Sequence, residues 1–256
     1  MKFNTIWEQL RGIPYISEKN ASILYEHVIK TKPSHILELG FAHGVSSCVI
    51  AAALDENGLG HLTTVDFKDC TEWQSPSIED LITKTDLPKE LFTVKREKSG
   101  YNWFLHNEVK QQTKNNICEP KYDLCMIDGA KHWTTDGHAF FVADKLLYPG
   151  GWFLFDDYSW RYISSERNRN KKRSLADTMS EEEKRVPHIK EIIELLVLQH
   201  PNYSNVVIHS DLDWAWAQKD PRYRIKKVTI DYNDRYTDIL VKYFYKTKKL
   251  LKKKVS

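Results

Sequence analysis

The sequence predicts an α/β fold on a mostly parallel sheet with an antiparallel end, and three observations carry that expectation. Short apolar runs of strand length alternate with longer segments of helical periodicity over residues 17–218. Four of those runs carry acidic residues at their ends: Glu38, Asp66, Asp128 and Asp156-Asp157. The last two runs are separated only by Ser210-Asp211-Leu212-Asp213. So short a link cannot make a parallel crossover, which needs roughly a dozen residues.

The elements follow in order. Ser17 can cap a helix over Ser17–Ile29, where Ile23, Leu24, Val28 and Ile29 recur at helical spacing, and Pro33 then punctuates. His35–Leu39 is an apolar strand running into Gly40. Val45–Leu54 is small and apolar, the pattern of a buried helix, and Asn57-Gly58 ends it. His61–Val65 is a strand that stops at Asp66. Ser77–Thr85 reads as a helix, Leu91–Lys95 as extended chain and Tyr101–Gln112 as a helix. Tyr122–Ile127 is a strand ending at Asp128. A helix over Asp136–Leu147 is expected to close at Pro149-Gly150-Gly151, ahead of a strand over Trp152–Phe155. After a polar stretch come a helix over Val186–Gln199 and two strands, Asn205–His209 and Trp214–Gln218.

Composition narrows the class. The 256 residues suit one large domain or a domain with appendages. With 41% hydrophobic and 29% charged residues, the chain can build a sizeable core. Its net charge of +3 conceals an asymmetry: residues 222–256 hold twelve Lys/Arg and three Asp, and the first 221 residues carry −6. No apolar run approaches the ~20 residues of a membrane span. The first residues show no secretory signal. Cys48, Cys70, Cys118 and Cys125 form no CxxC pair and no metal-ligand spacing, so reduced thiols in a cytoplasmic protein are expected.

In open α/β sheets, ligands bind at the carboxyl ends of the strands, so the strand-end acids form a candidate site. Residues 38–46, Glu-Leu-Gly-Phe-Ala-His-Gly-Val-Ser, read as a strand end, a tight loop and a helix start. Gly40 permits the turn, and Gly44 lets a ligand approach the helix N-terminus. A dinucleotide fingerprint would read GxGxxG and bring pyrophosphate to that N-terminus. Here the spacing is GxxxG, with Ala42 in place of the middle glycine, which argues against a nicotinamide dehydrogenase. Asp66 ends the next strand, where an acidic side chain accepts hydrogen bonds from ribose hydroxyls.

On these residues the chain resembles the class I S-adenosylmethionine-dependent methyltransferases, over about residues 34–218. ELGFAHGVSS looks like their first motif, Asp66 in LTTVDF like their ribose-binding acid, and YDLCMIDGAKHW and LLYPGGWFLFDD like their strand-four and strand-five motifs. The resemblance implies a Rossmann-like, doubly wound, seven-stranded mixed sheet with a terminal antiparallel hairpin. It divides the chain into an N-terminal helical segment (1–33), the methyltransferase domain (34–218) and a basic C-terminal extension (219–256). It also implies S-adenosylmethionine bound by Glu38, Gly40, Ala42, Gly44, Ser46 and Asp66, with Ser99 near the adenine and Asp128 facing the reacting centre.

A narrower resemblance is to the metal-dependent O-methyltransferases of the catechol and caffeoyl-CoA type, and the bacterial sugar and macrolide O-methyltransferases share Ile127-Asp128-Gly129. It implies a divalent cation such as Mg²⁺ on Asp128, Asp156 and Asp157, the last replacing the family's Asn. Lys131 matches a family lysine three residues after the strand-four acid. The cation would lower the pKa of a coordinated hydroxyl, and a Lys131 of depressed pKa beside it would take the proton. His132 is the alternative base without metal. The bland alternative makes Asp156-Asp157 a loop cap and Lys131 a solvated side chain. His43 reads as a loop side chain with no catalytic task. Trp133 and Trp160 sit in loops beside the chemistry, where they would wall a flat or sugar-like acceptor.

The function expected is therefore O-methylation of a small-molecule hydroxyl. Its rivals are an RNA methyltransferase using the basic tail, and a noncatalytic cofactor-binding or assembly subunit. The run 167–173 holds five positive charges in seven residues and reads as a solvated loop, or as one closing over an anionic acceptor. In the tail, Ile239, Leu240, Tyr243, Phe244, Leu250 and Leu251 recur at helical spacing among lysines. This stripe suits docking on the body or on a second subunit in a homodimer. A membrane surface or nucleic acid is the remaining alternative.

Overall fold

The computed structural model describes residues 1–164 and 175–222. These belong to one compact unit, Met1–Ile225; a second unit, Lys226–Ser256, lies outside the described residues, as do the basic run 167–173 and the apolar stripe of the tail. Seven strands form the sheet: β1 (His35–Leu39), β2 (His61–Phe67), β3 (Phe92–Glu97), β6 (Tyr122–Ile127), β7 (Leu147–Phe155), β8 (Tyr203–His209) and β9 (Trp214–Lys219). Their order is β3-β2-β1-β6-β7-β9-β8. The first five are parallel, and β9 pairs antiparallel with both β7 and β8, as the short 210–213 link requires. The order reverses between β1 and β6. That reversal opens a crevice beyond their carboxyl ends, where ligands of such sheets bind.

The alternation of side chains along β1 assigns the two cores. Ile36 points toward α1 (Phe3–Leu10), α2 (Glu18–Thr31), α3 (Val45–Asn57) and α4 (Ile78–Thr85). Leu37 and Leu39 point to the opposite face, toward α5 (Tyr101–Gln112), α6 (Trp133–Asp144) and α8 (His188–Ile192). α3 is buried from Val45 to Leu54, which explains its uniformly small and apolar sequence. Ser17 caps α2 by accepting from the Asn20 amide, and Gly58 closes α3 in the left-handed region. Among the described residues, no helix is long and apolar enough to cross a membrane.

Three boundaries differ from the sequence expectation. The helix expected over Asp136–Leu147 runs over Trp133–Asp144, because the Asp136 carboxylate reaches back to accept from the His132 amide at 2.8 Å. Pro149-Gly150-Gly151 does not close that helix; it lies inside β7, where the register against β6 shifts between Tyr122 and Leu124. The helix expected from Val186 starts at His188, since Pro187 lacks an amide hydrogen and sits at its cap, and it widens into a π-turn over Ile193–Val197. The sequence reading also missed α1, the short helix α7 (Glu181–Arg185) and a small hairpin, β4 (Thr113–Lys114) with β5 (Ile117–Cys118). The hairpin turns on Asn115 and Asn116, both with positive φ, which asparagine tolerates.

Gly40 locks the two halves of the sheet together. It has φ +93°, and a Cβ there would press on the Asp128 carbonyl and come within 2.6 Å of the Gly129 Cα. Gly40→Ala should therefore destabilise the fold by about 2–4 kcal/mol. Thermal denaturation should show a midpoint lower by roughly 5–10 °C; an unchanged midpoint would contradict this packing.

Candidate active site

The β1 carboxyl end turns at Gly40, whose amide donates to the Val65 carbonyl at 2.8 Å. The loop passes through Ala42 (φ 47°) to Gly44 (φ 93°), which caps α3. A Cβ on Gly44 would strike Ile78 of α4 at 2.5 Å. Glu38 is fully buried beneath this loop. It accepts from Ser46 at 2.5 Å, from Thr64 at 2.6 Å and from Ser47. Burial pushes its carboxyl up to about 7 against the pull of the three hydroxyls, and the Asp128 charge adds to the rise.

Asp66 stands at the end of β2 and latches the same loop. Its Oδ2 accepts from the amides of Phe41 (3.2 Å) and Ala42 (2.9 Å) and from Gln74 Nε2 (3.4 Å). Its Oδ1 accepts from the Phe67 amide and from Cys70 Sγ. The segment after β2 is stitched down a second time by His43, whose Nδ1 donates to the Pro76 carbonyl at 2.7 Å. The His43 ring stacks on Tyr15 and meets Trp73 edge-on. A narrow cleft lies between this loop and the N-terminal segment, lined among others by Tyr15, Ile16, Ala42, His43, Ser46 and Asp128.

Tyr15, Trp73 and Gln74, which the sequence pattern does not single out, pack against this loop and its latch. Phe67 joins them: it is exposed directly after Asp66, and a Cβ on Gly100 would touch its ring at 2.9 Å. Only Phe67 carries a sequence signal, its position directly after a strand-end acid. Ser99 is exposed on the turn between β3 and α5, at the same edge of the sheet.

The second half of the site is the acid cluster. Asp128 follows β6, and its amide donates to the Leu39 carbonyl at 2.9 Å. Oxygens of Asp128, Asp156 and Asp157 all lie within 4.8 Å of one another. Lys131 stands among them, 2.7 Å from Asp128 Oδ1 and 3.0 Å from Asp157 Oδ2. Lys131 and Asp157 both occupy the left-handed region. Burial works against the Lys131 charge, but the carboxylates of Asp128, Asp157 and Asp156 outweigh it and hold the ammonium well above the usual lysine range. The depressed pKa expected of a base is not the state of this arrangement. Asp156 is held well above the usual carboxylate range by burial and by its two acidic neighbours, and Trp214 Nε1 donates to it at 2.6 Å. Three hard oxygen donors carrying more negative charge than one lysine neutralises suit a hard divalent cation.

The loop between Asp128 and α6 is rigidly placed. Buried Tyr101 donates to Asp136 and accepts from the Ala130 amide at 3.1 Å. A Cβ on Gly129 would run into the Tyr101 ring. From the other side Tyr162 donates to the Ala130 carbonyl at 2.5 Å. His132 caps α6 beside the rings of Tyr162 and His188. Burial and the neighbouring His188 lower its pKa, so at neutral pH it is an uncharged imidazole. Beyond His132 opens a largely apolar cavity of about 290 Å³, walled by Trp133, Val186, His188 and Leu195 with Glu183 and Glu191 at its polar side. Trp160 packs edge-on against Tyr162, whose ring in turn meets His132 and His188 at that cavity.

Residues 37–158 match a family model described as a methyltransferase domain. No curated protein matches the chain by sequence. Among solved structures, the chain is similar in fold to the O-methyltransferase from Bacillus cereus in complex with S-adenosylhomocysteine (TM-score 0.55, 20% identity, 86% of this chain and 92% of that one). It is similar to the O-methyltransferase TomG from Streptomyces achromogenes, involved in tomaymycin synthesis and in complex with S-adenosylmethionine (0.54, 15%, 85% and 89%). A third is the methyltransferase PaMTH1 from Podospora anserina, bound to S-adenosylhomocysteine (0.56, 14%, 85% and 87%).

The buried Glu38 gives stability a defined pH dependence. Its folded pKa of about 7 lies above the ordinary 4.5, so its contribution is fully present below about pH 4.5 and is lost as pH rises through 7. Glu38→Gln removes that titration. Between pH 4.5 and 7, the stability of the native chain relative to this variant should fall by about 3 kcal/mol. Denaturant unfolding across that range would show it. Parallel curves for the two proteins would place Glu38 in a different electrostatic state.

Proposed function

We propose, from the match of residues 37–158 to a methyltransferase-domain model, that the chain binds S-adenosylmethionine in the crevice between β1 and β6 and transfers its methyl group to a hydroxyl of a small molecule. One observation carries this reading: the Gly40 loop, latched by Asp66, and the acid after β6 meet at the point where the strand order reverses. The loop and the α3 N-terminus receive the methionine end of the cofactor, Asp66 and its surroundings the ribose, and the exposed Phe67 ring the adenine. Glu38 and Ser46 set the loop's shape from below.

The acceptor's ring fits the cavity beside Trp133, which has the volume and apolar lining of a small-molecule pocket. In the transfer the acceptor oxygen attacks the methyl carbon, the carbon–sulfur bond breaks, and the hydroxyl proton must leave. His132 is the group placed to take it. Its Nδ1 is held by the hydroxyls of Thr134 (2.7 Å) and Thr135 (3.3 Å), and the tautomer that carries its proton on Nδ1 presents Nε2 as the acceptor. Lys131 keeps its proton and holds the facing carboxylates in position. A divalent cation on Asp128, Asp156 and Asp157 would supply Lewis acidity that makes the hydroxyl easier to ionise. The four free cysteines agree with a cytoplasmic location.

Incubation with methyl-labelled S-adenosylmethionine and a panel of catechol, phenol and sugar acceptors tests this. Label should appear in a methyl ether, excess EDTA should abolish it, and Mg²⁺ should restore it. Full turnover in EDTA would remove the cation and leave His132 as the unaided base. A protein that binds cofactor yet labels no acceptor would be a noncatalytic binding subunit.

A further inference from the structure

Asp66 has little capacity left for a ligand. Its two oxygens already accept from three backbone amides, from Cys70 Sγ and from the Gln74 amide nitrogen. A carboxylate offers about four acceptor positions. In this structure Asp66 therefore serves the loop, and ribose hydroxyls need an additional acceptor.

Gln74 has one. The residue is 6% exposed, and its Oε1 is buried without a hydrogen-bond partner among the described residues. Its orientation is dictated by Asp66: turning the amide over would set oxygen against the carboxylate and leave an NH₂ group stranded instead. Either way, one end of this buried amide lacks its partner beside the cofactor loop. A complementary orphan flanks the same carboxylate. Arg96 pairs with Asp66 across the β2–β3 register, gives Nη1 and Nη2 to Glu79, and has a buried Nε without a partner. Buried groups of this kind are rarely left unpaired, because the unmade bond is costly. A hydroxyl is a group that can donate to such an orphan oxygen.

We infer that Gln74 is a cofactor-binding residue whose Oε1 accepts a hydrogen bond from a ribose hydroxyl, sharing with Asp66 the recognition of the nucleoside. The inference rests on the methyltransferase reading above. It divides the labour: Asp66 holds the loop and stands beside the ribose, and Gln74 supplies the further acceptor. A cofactor lacking that hydroxyl would leave Gln74 as unsatisfied as it is in the free chain.

Calorimetry with S-adenosylhomocysteine and its 2′-deoxy and 3′-deoxy analogues tests it, using the full chain, Gln74→Met and Gln74→Leu. Both variants preserve most of the side-chain volume, and thermal denaturation checks their folding. Each should bind S-adenosylhomocysteine about tenfold more weakly than the native chain. Toward one of the two deoxy analogues that penalty should vanish, because the partner hydroxyl is already gone. An equal loss against all three ligands would mean that Gln74 only supports Asp66 or holds a buried water, and would overturn the inference. Unchanged affinity would overturn it as well. A native chain that binds none of the three would sink the cofactor assignment itself.

Discussion

The Gly40 turn approaches the Asp128 backbone so closely that no side chain fits between them. This contact joins the two halves of the sheet where their winding directions diverge. It sets the cofactor loop against the first residue after β6, and hence against the acid cluster. Asp66 tightens the arrangement from the β2 side through the Phe41 and Ala42 amides. Tyr101 and Asp136 tighten it from the α5–α6 side. The left-handed residues Ala42, Lys131 and Asp157 all lie in the loops this contact brings together. Backbone strain in one place commonly accompanies a site that must hold its shape.

Electrostatics gives the same region its character. Glu38, Asp128, Asp136 and Asp156 are all pushed above the usual carboxylate range, with burial the main cause in each. Lys131 is the cation placed between Asp128 and Asp157. The −6 charge of the first 221 residues is thus partly concentrated at one end of the sheet. The remaining buried acids are neutralised locally, as Asp144 is by Lys219 at 3.1 Å. The strand-end acids differ because one lysine, Lys131, faces three carboxylates, while Glu38 has only hydroxyl partners.

Much of this was legible in the sequence, for identifiable reasons. β1 and β6 are short apolar runs that end on Gly40 and Asp128, and α3 lies between a glycine cap and Asn57-Gly58, so their limits were local. The convergence of Asp128, Asp156 and Asp157 followed from adjacent parallel strands ending at the same level. What failed depended on side-chain contacts and sheet register that the pattern of residue types does not show. The α6 start is set by Asp136 reaching back to His132, and Pro149-Gly150-Gly151 looked like a helix terminator because nothing local reveals a register shift against β6. Lys131 reads as a base through the family lysine it matches, three residues after the strand-four acid. Its real environment needs Asp157, 26 positions away, to swing back through a left-handed residue. Gln74 was invisible, since an unpaired amide oxygen has no sequence signature.

The central claim is that these loops form one cofactor crevice at the switch between β1 and β6. Hydrogen–deuterium exchange with and without S-adenosylhomocysteine addresses it most directly. The account predicts new protection confined to residues 14–16, 38–46, 66–76 and 128–132, with the outer strands β8 and β9 unchanged. Protection elsewhere, or no protection at saturating ligand, would contradict it.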